Sequence, residues 1–203
     1  MTFLQHHPGE VARYTLEHVE LVAIALVLAC AIALPLGVFV ARSRRAGAAV
    51  LTVLNVVYTI PSLALLALLV PVFGIGTLTA LIALTAYALM ILVRNAAAAL
   101  RGVPFALIDA ARGLGMSPWQ SFWRVEFPQA LPVMLSGVRL ATITLIALAT
   151  LASWINAGGL GTLVLYGLQH DDPSRALVGS AIAALLAIAA DAGFRRLEGL
   201  VRS

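Results

Sequence analysis

Five apolar segments, each long enough to cross a lipid bilayer as a helix, dominate this sequence of 203 residues. A helix of about 20 residues spans the roughly 30 Å hydrocarbon layer of a membrane. Hydrophobic residues make up 62% of the chain and charged residues 11%, too little polar material to cover a water-soluble domain of this size. The sequence therefore predicts an all-α, polytopic membrane protein with no nucleotide-binding domain.

Short polar or arginine-containing segments separate the predicted spans. The spans cover approximately residues 19–41, 48–73, 77–93, 131–154 and 174–194. Small residues are spread through them, and small side chains let helices approach closely in lipid. We expect one transmembrane domain over residues 19–200. An N-terminal interfacial segment, residues 1–18, precedes it, lacks the features of a cleaved signal peptide, and is expected to contain a short helix from Glu10 to Glu17.

The distribution of arginine predicts the orientation of the spans. All 13 basic residues are arginine, and placing the loop after the first span in the cytoplasm puts ten of them there and two outside. Because basic residues concentrate in cytoplasmic loops, the N-terminus is expected outside and the C-terminus in the cytoplasm, with the chain in the inner (plasma) membrane. The arginines are scattered between apolar segments, which argues against nucleic acid as a partner.

Reactive side chains are few and scattered. Cys30, the single cysteine, lies in an apolar segment, and the adjacent His6 and His7 have no third ligand nearby, so neither a disulfide nor a metal site is predicted. Asp191, in the last span, is four residues before Arg195 and is expected to pair with it. We therefore predict no catalytic residue, no metal and no cofactor bound by this chain.

A more polar segment after the third span has a helix-turn-helix pattern. Asp109-Ala110-Ala111 is expected to begin a short helix with small side chains, and Gly113 and Gly115 allow a sharp turn. Ser117-Pro118 has the pattern of an N-cap followed by proline at the first position of a second helix. The pattern predicts a rigid knob at the cytoplasmic surface.

The second short helix of this knob is expected to have an aromatic face. Trp119, Phe122 and Trp123 recur at helical spacing. Pro128 and Pro132 are expected to break the helix where the chain re-enters the membrane.

The spacing in this segment resembles the signature of the permeases of binding-protein-dependent ABC importers. That signature is Glu-Ala-Ala, three residues, Gly, nine residues and Ile-x-Leu-Pro. Asp109, Val125 and Phe127 replace the Glu, Ile and Leu, and both spacings match. The resemblance implies that residues 102–128 form a coupling loop that docks on an ATPase. The residues it assigns to coupling are Asp109, Ala110, Ala111, Gly113, Gly115 and Pro128. The competing interpretation is an ordinary loop with an aromatic membrane anchor.

The resemblance extends from about Leu16 to Leu200 and also implies the partners. ABC ATPase subunits would bind ATP and Mg²⁺, and a second permease copy, identical or related, would complete the transport path in the bilayer. An extracellular or periplasmic solute-binding protein would deliver the solute. The implied fold is the type I, methionine-permease-like arrangement of about five transmembrane helices, with an interfacial N-terminal helix and a cytoplasmic coupling helix.

Three further motifs resemble the osmoprotectant branch of these permeases, which imports glycine betaine, choline, carnitine and similar quaternary ammonium compounds. They are residues 59–66 (Thr-Ile-Pro-Ser-Leu-Ala-Leu-Leu), 73–77 (Phe-Gly-Ile-Gly-Thr) and 155–161 (Ile-Asn-Ala-Gly-Gly-Leu-Gly). A permease of the same superfamily for methionine or another small polar solute is the alternative. An ion-coupled secondary transporter fits less well because no repeat is visible, and a structural scaffold leaves the cytoplasmic signature unexplained.

Pro61 predicts a kink or break in the second span, because proline cannot donate a backbone hydrogen bond. Irregular backbone at membrane depth occurs where it lines a cavity or is buried in protein. The candidates for the translocation path or its gate are Asn55, Tyr58, Thr59, Pro61, Ser62, Trp154 and Asn156, with Gly158-Gly159-x-Gly161 as a hinge. Aromatic side chains would suit a quaternary ammonium through cation–π contacts. The alternative is that these residues only pack.

Overall fold

The computed structural model describes residues 2–202, and every secondary-structure element in that range is a helix or a helical turn. The α-helices are α1 Thr2–His6, α2 Pro8–Arg42, α3 Arg44–Thr59, α4 Ser62–Phe73, α5 Thr77–Arg101, α6 Phe105–Gly113, α7 Pro118–Ser121, α8 Phe127–Ala149, α9 Gly161–Gln169 and α10 Pro173–Arg202. A π-helical turn, Phe122–Glu126, joins α7 to α8, and a 3₁₀ turn, Leu151–Ile155, follows α8. The predicted all-α fold is confirmed.

Five helical stretches in the described range are long and apolar enough to cross a membrane when one bent pair is counted as a single span. Four of them are α2, α5, the continuous helix Pro118–Ala149 and α10. The fifth is α3 with α4, which are bent by 97° where they meet. The predicted number of spans is confirmed, and the second span is broken as Pro61 predicts.

Two predicted details are wrong. Residues 10–17 do not form a separate helix, because α2 runs without interruption from Pro8 to Arg42, and the separate N-terminal helix is α1. A helix, α9, lies between the fourth and fifth predicted spans, where the sequence predicts a short polar segment and no helix. With nine residues, α9 is too short to stand out as a span, and Leu163 in its first turn is fully buried.

The central helix of the bundle is α5, which packs against α2, α3, α4 and α8. Two glycines allow its long neighbours to come close. A Cβ added to Gly37 of α2 would lie 2.6 Å from the Cβ of Ala96, and one added to Gly137 of α8 would lie 2.6 Å from the Cβ of Asn95. Small residues therefore set the spacing of these helices, as expected for packing in lipid.

Arg139 of α8 forms an ion-pair network with α10. Its Nη1 donates to Asp191 Oδ1 at 3.0 Å and its Nε donates to Glu198 Oε1 at 2.9 Å. Asp191 also pairs with Arg195, as predicted, but the sequence gives no sign of Arg139 and Glu198 as further partners. The network joins the last helix to α8 at the end of the bundle where the chain terminates.

We expect Arg139→Gln to lower the thermal midpoint of the purified permease, because it removes the cation that Asp191 and Glu198 share. A measurable loss is expected because the pair is partly shielded from solvent, since the side chains of Arg139 and Glu198 are 29% and 11% exposed. The thermal midpoint of the purified permease measures the change, with exposed Arg196→Gln as the control. Adding Glu198→Gln should recover part of the loss, and equal midpoints for the Arg139 and Arg196 variants would contradict the prediction.

Candidate functional site

The segment that resembles the importer signature, residues 102–128, contains a short helix, α6, followed by a turn and α7. Asp109, Ala110 and Ala111 lie in the second half of α6, which begins at Phe105, so the prediction that they begin the helix is wrong. Pro104 precedes the helix as its N-cap residue. The residues between Pro104 and Asp109 are all apolar, so the sequence gave no clear sign of where the helix begins.

The two alanines of this motif differ in exposure. Ala111 is buried, with 3% of its surface exposed, and partly buried Ile108, one turn earlier, packs on a cluster around Phe122. Ala110 is exposed. Apolar Phe105 and Leu114, exposed by 69% and 78%, add to an open surface at the two ends of α6. The exposed surface of α6 therefore includes small and apolar side chains, and Ala111 packs against the bundle on the buried side of the helix.

A Schellman motif ends α6. The N–H of Met116 donates to the carbonyl of Ala111 at 3.1 Å, and the N–H of Gly115 donates to the carbonyl of Arg112 at 2.9 Å. Gly115 has φ +78°, a left-handed conformation that favours glycine. Gly113 is the last residue of α6, and a Cβ there would meet nothing within 4 Å, so the turn depends on Gly115.

A capping box begins α7, and its N-cap residue is Ser117, as the sequence predicts. The N–H of Gln120 donates to Ser117 Oγ at 3.3 Å, and the N–H of Ser117 donates to Gln120 Oε1 at 2.9 Å. Pro128 and Pro132 do not break the following helix, which is a correction to the prediction. Pro128 stands in the first turn of α8, after the π-helical turn. There a missing N–H disturbs little of the hydrogen-bonding pattern.

Arginines tie this loop to the ends of α2 and α5. Arg101 Nε donates to the carbonyl of Ala41 at 3.3 Å, which holds the two helix ends side by side. Arg42 lies 3.6 Å from the Glu126 carboxylate and 5.5 Å from the centre of the Phe122 ring. We call this part of the bundle the arginine-rich end. The loop is thus held to α2 through Arg42, and α2 is held to α5 through Arg101.

The break in the second span lies between α3 and α4, and a tyrosine hydroxyl stabilises it. Tyr87 of α5 donates its hydroxyl to the carbonyl of Ile60, directly before Pro61. Its ring also meets the Tyr58 ring edge-on, with centroids 5.8 Å apart. The sequence prediction missed Tyr87. The signal was present, because it is the single tyrosine of α5 and a buried tyrosine hydroxyl usually needs a partner.

Most predicted path residues lie on an exposed surface of α3 and the break. Asn55, Tyr58, Thr59 and Pro61 are exposed, and Ser62 is half-buried. Gly47 is the only residue of α3 that is buried. Such a surface, polar in places and open in a single chain, is available to line a path or to meet another subunit.

Trp154 and Asn156 lie at the end of the bundle opposite the arginine-rich end. Both are exposed, and the 3₁₀ turn that carries Trp154 packs against α4 and α5. Asn156 has φ +58° and ends that turn. The structure therefore places the turn of Trp154 against the helix that follows the break, so the two groups of predicted path residues are neighbours through α4.

Two side chains of α2 that the prediction overlooked bond to residues on either side of this turn. The backbone N–H of Gly159 donates to Glu17 Oε2 at 3.0 Å, and His18, fully buried, donates from Nε2 to the carbonyl of Ile146 at 3.1 Å. Glu17, Glu20, Thr77 and Asn156 are among the residues that line a 350 Å³ cavity beside the turn. Glu17 and His18 are far from residue 159 in the sequence, so the sequence gave no sign that they lie near this turn. No group of three or more metal-ligating side chains occurs among the described residues.

Known proteins similar to this chain are transport permeases. Residues 33–203 match the family described as the binding-protein-dependent transport system inner membrane component. The glycine betaine/carnitine/choline transport system permease protein OpuCB of Bacillus subtilis is 40% identical over 191 residues, 94% of this chain and 88% of that protein. The osmoprotectant import permease protein OsmW of Salmonella typhimurium is 39% identical over 201 residues, 97% of this chain and 94% of that protein.

A solved structure supports the fold. An inward-facing conformation of the MetNI methionine ABC transporter matches with a TM-score of 0.86 and 24% identity, over 95% of this chain and 96% of that chain. Five apolar spans, one of them broken, and an exposed helix-turn-helix define a multi-pass permease component of a membrane transporter. The chain belongs to the family of binding-protein-dependent transport system inner membrane components. It is accordingly a permease subunit of the inner membrane, not an enzyme, as the sequence predicts.

Proposed function

We propose that this chain is the permease of an ATP-driven importer for osmoprotectants such as glycine betaine, choline or carnitine. The observation that carries the proposal is the helix-turn-helix at the arginine-rich end, which exposes Ala110 and the ends of α6 while Ala111 fixes the helix to the bundle. The solute class is supported by the printed functions of relatives that are about 40% identical along nearly the whole chain.

In this proposal α6 docks on an ABC ATPase subunit that binds ATP and Mg²⁺. Closure of the ATPase would push on α6, and the contacts of Arg42 and Arg101 would carry the displacement into α2 and α5. The arginine-rich end then lies in the cytoplasm, with the N-terminus outside and the C-terminus inside. A solute-binding protein would dock at the opposite end, near Trp154.

A second permease copy would face the exposed surface of α3. Two such surfaces would enclose a path lined by Asn55, Tyr58 and Thr59, and Trp154 and Asn156 would gate its outer end. Tyr58 is 41% exposed and can present its ring face to a quaternary ammonium, a contact worth about 0.5–1 kcal/mol at an exposed site. Weak contacts of this size suit a passage that the solute must also leave.

Uptake by the complete transporter tests the proposal. The permease, its ATPase and its binding protein are reconstituted in vesicles, and ATP-dependent uptake of glycine betaine, choline, carnitine and methionine is compared. We expect uptake of at least one quaternary ammonium, reduced about two- to five-fold in Tyr58→Ala, the loss that corresponds to one cation–π contact. Leu185→Ala is the control, because Leu185 is exposed on α10, which packs against α8 and α9.

The outcomes separate the possible functions. Uptake of methionine alone would replace the proposed solute class and keep the importer. Equal rates for the Tyr58 and Leu185 variants would remove Tyr58 from the path. Absence of ATP-dependent uptake of any of the four solutes by the assembled complex would overturn the proposal.

A further inference from the structure

A groove of about 570 Å³ runs along the side of the bundle at the arginine-rich end, away from the exposed face of α6 and from the break. One wall is α2, and the other is formed by α7 and the π-helical turn that follows it. The lining residues are Leu34, Pro35, Val38, Arg42, Pro118, Trp119, Phe122 and Trp123. All but Arg42 are apolar or aromatic. The function proposed above uses the contact of Arg42 with Glu126 but assigns no occupant to the groove.

The groove changes from charged to apolar along its length. Leu34 lies eight residues before Arg42 on the same helix, a rise of about 12 Å. Arg42 is near the last residue of the first span, whereas Leu34 and Pro35 lie within its apolar part and are exposed. An occupant must therefore be anionic at one end and apolar over at least 12 Å, which describes an amphiphile.

The aromatic wall has the character of a membrane-interface surface. Trp119 and Trp123 are 70% and 42% exposed, and their rings meet edge-on with centroids 5.5 Å apart. Tryptophan concentrates at the level of lipid headgroups, where one edge of the indole contacts the apolar layer and its N–H contacts water. The tryptophans stand beside Arg42, at the level where a headgroup would be.

Arg42 has hydrogen-bonding capacity left for a phosphate. Its side chain is 54% exposed, and the 3.6 Å separation from Glu126 is longer than a good hydrogen bond. A guanidinium carries five N–H donors and fits phosphate oxygens. Among the described residues, Glu126 is the carboxylate paired with Arg42, and its charge opposes the binding of an anion. Arg44 and Arg45, both exposed at the start of α3, favour one.

We propose that this groove binds an anionic phospholipid of the inner leaflet. Arg42 holds its phosphate, and an acyl chain lies along Leu34 and Val38 against the indoles of Trp119 and Trp123. The inference rests on the proposed function in one respect, the cytoplasmic placement of the arginine-rich end. A soluble ATPase subunit does not reach the depth of Leu34, and the surface proposed for the second permease is on α3.

Photocrosslinking of the complete transporter in vesicles tests the site. Phosphatidylglycerol or phosphatidylcholine, each with a diazirine on an acyl chain, is added at equal low fraction to unlabelled phosphatidylcholine, and adducts on residues 34–38 and 118–123 are quantified. One arginine near an anionic surface corresponds to about a five-fold preference. We expect about five-fold more phosphatidylglycerol than phosphatidylcholine adducts in the wild type. The two lipids should give equal adducts in Arg42→Gln, and Arg42→Lys should retain most of the preference. Arg196→Gln, at an exposed arginine that does not line the groove, is the matched control and should keep the preference.

Equal labelling by both lipids in the wild type would overturn the inference, because it would describe ordinary annular lipid. Absence of adducts with both would also overturn it, because protein would then cover the groove. These comparisons need no variant, so a folding defect in Arg42→Gln cannot obscure them. Uptake is measured on the same vesicles. Uptake without lipid preference leaves the proposed function standing, whereas lipid preference without uptake leaves only the lipid site.

Discussion

Ala111→Glu is expected to abolish accumulation of the folded permease, whereas Ala110→Glu leaves the fold intact and abolishes ATP-dependent uptake. The two positions are adjacent, but Ala111 is 3% exposed and faces the bundle. A carboxylate there loses its water and exceeds the available space, at a combined cost of about 3 kcal/mol or more. Ala110 is exposed, so the same substitution changes the free energy of unfolding by about 0.5 kcal/mol or less.

The comparison separates a structural from a coupling effect. Gel filtration and the thermal midpoint of the purified permease report the fold, and solute-stimulated ATP hydrolysis of the assembled complex reports coupling. Ala110→Ser and Ala111→Ser, which keep small side chains, are the controls. If Ala111→Glu yields a permease with a normal midpoint, the inward assignment of Ala111 is wrong. If Ala110→Glu sustains normal stimulated hydrolysis and uptake, α6 does not couple the chain to the ATPase.

Hydropathy was sufficient to predict the fold class, because a helix that crosses lipid must be apolar for most of its length. Proline at position 61 was sufficient for the break in the second span. The angle of 97° was not predictable, because it depends on Tyr87, 27 residues beyond Ile60, whose hydroxyl bonds to the carbonyl at the break. The extent of α2 was missed for a similar reason. Its first turns are polar, and contacts such as Glu17 with Gly159 extend over 142 positions.

In the coupling loop, the sequence was sufficient to predict where the helices are capped, but not which residues of α6 are exposed. Ser117-Pro118 and Gly115 are local signals, since capping and left-handed backbone conformations depend on neighbouring residues. Whether Ala110 or Ala111 faces outward depends on how α6 lies against Phe122, a tertiary contact that spacing alone does not contain. The assignment of Pro128 as a helix breaker failed because the chain has already entered the next helix through a π-helical turn. Local rules therefore predicted the caps, and packing determined the functional surface.

Gly161→Ala is expected to displace the 3₁₀ turn that contains Trp154 and to lower the free energy of unfolding by about 3 kcal/mol, the upper part of the range for overpacking. A Cβ at this position would lie 1.9 Å from the carbonyl oxygen of Thr150 and 2.8 Å from Ser153 Oγ. Ordinary contacts between these atom types are about 3.3 Å or longer. The carbonyl belongs to backbone that connects α8 to the turn of Trp154, so relief requires either α9 or that turn to move by more than about 1 Å.

Gly193→Ala is the matched control, because Gly193 lies in α10 and a Cβ there meets nothing within 4 Å. It should be neutral or stabilising by up to about 1 kcal/mol. Thermal midpoint and uptake, measured together, distinguish the steric explanation from the predicted hinge. A steric role for Gly161 predicts loss of both stability and uptake, since the displaced turn carries Trp154. A hinge role predicts loss of uptake with an unchanged midpoint, and retention of both would show that α9 can shift without consequence for the path.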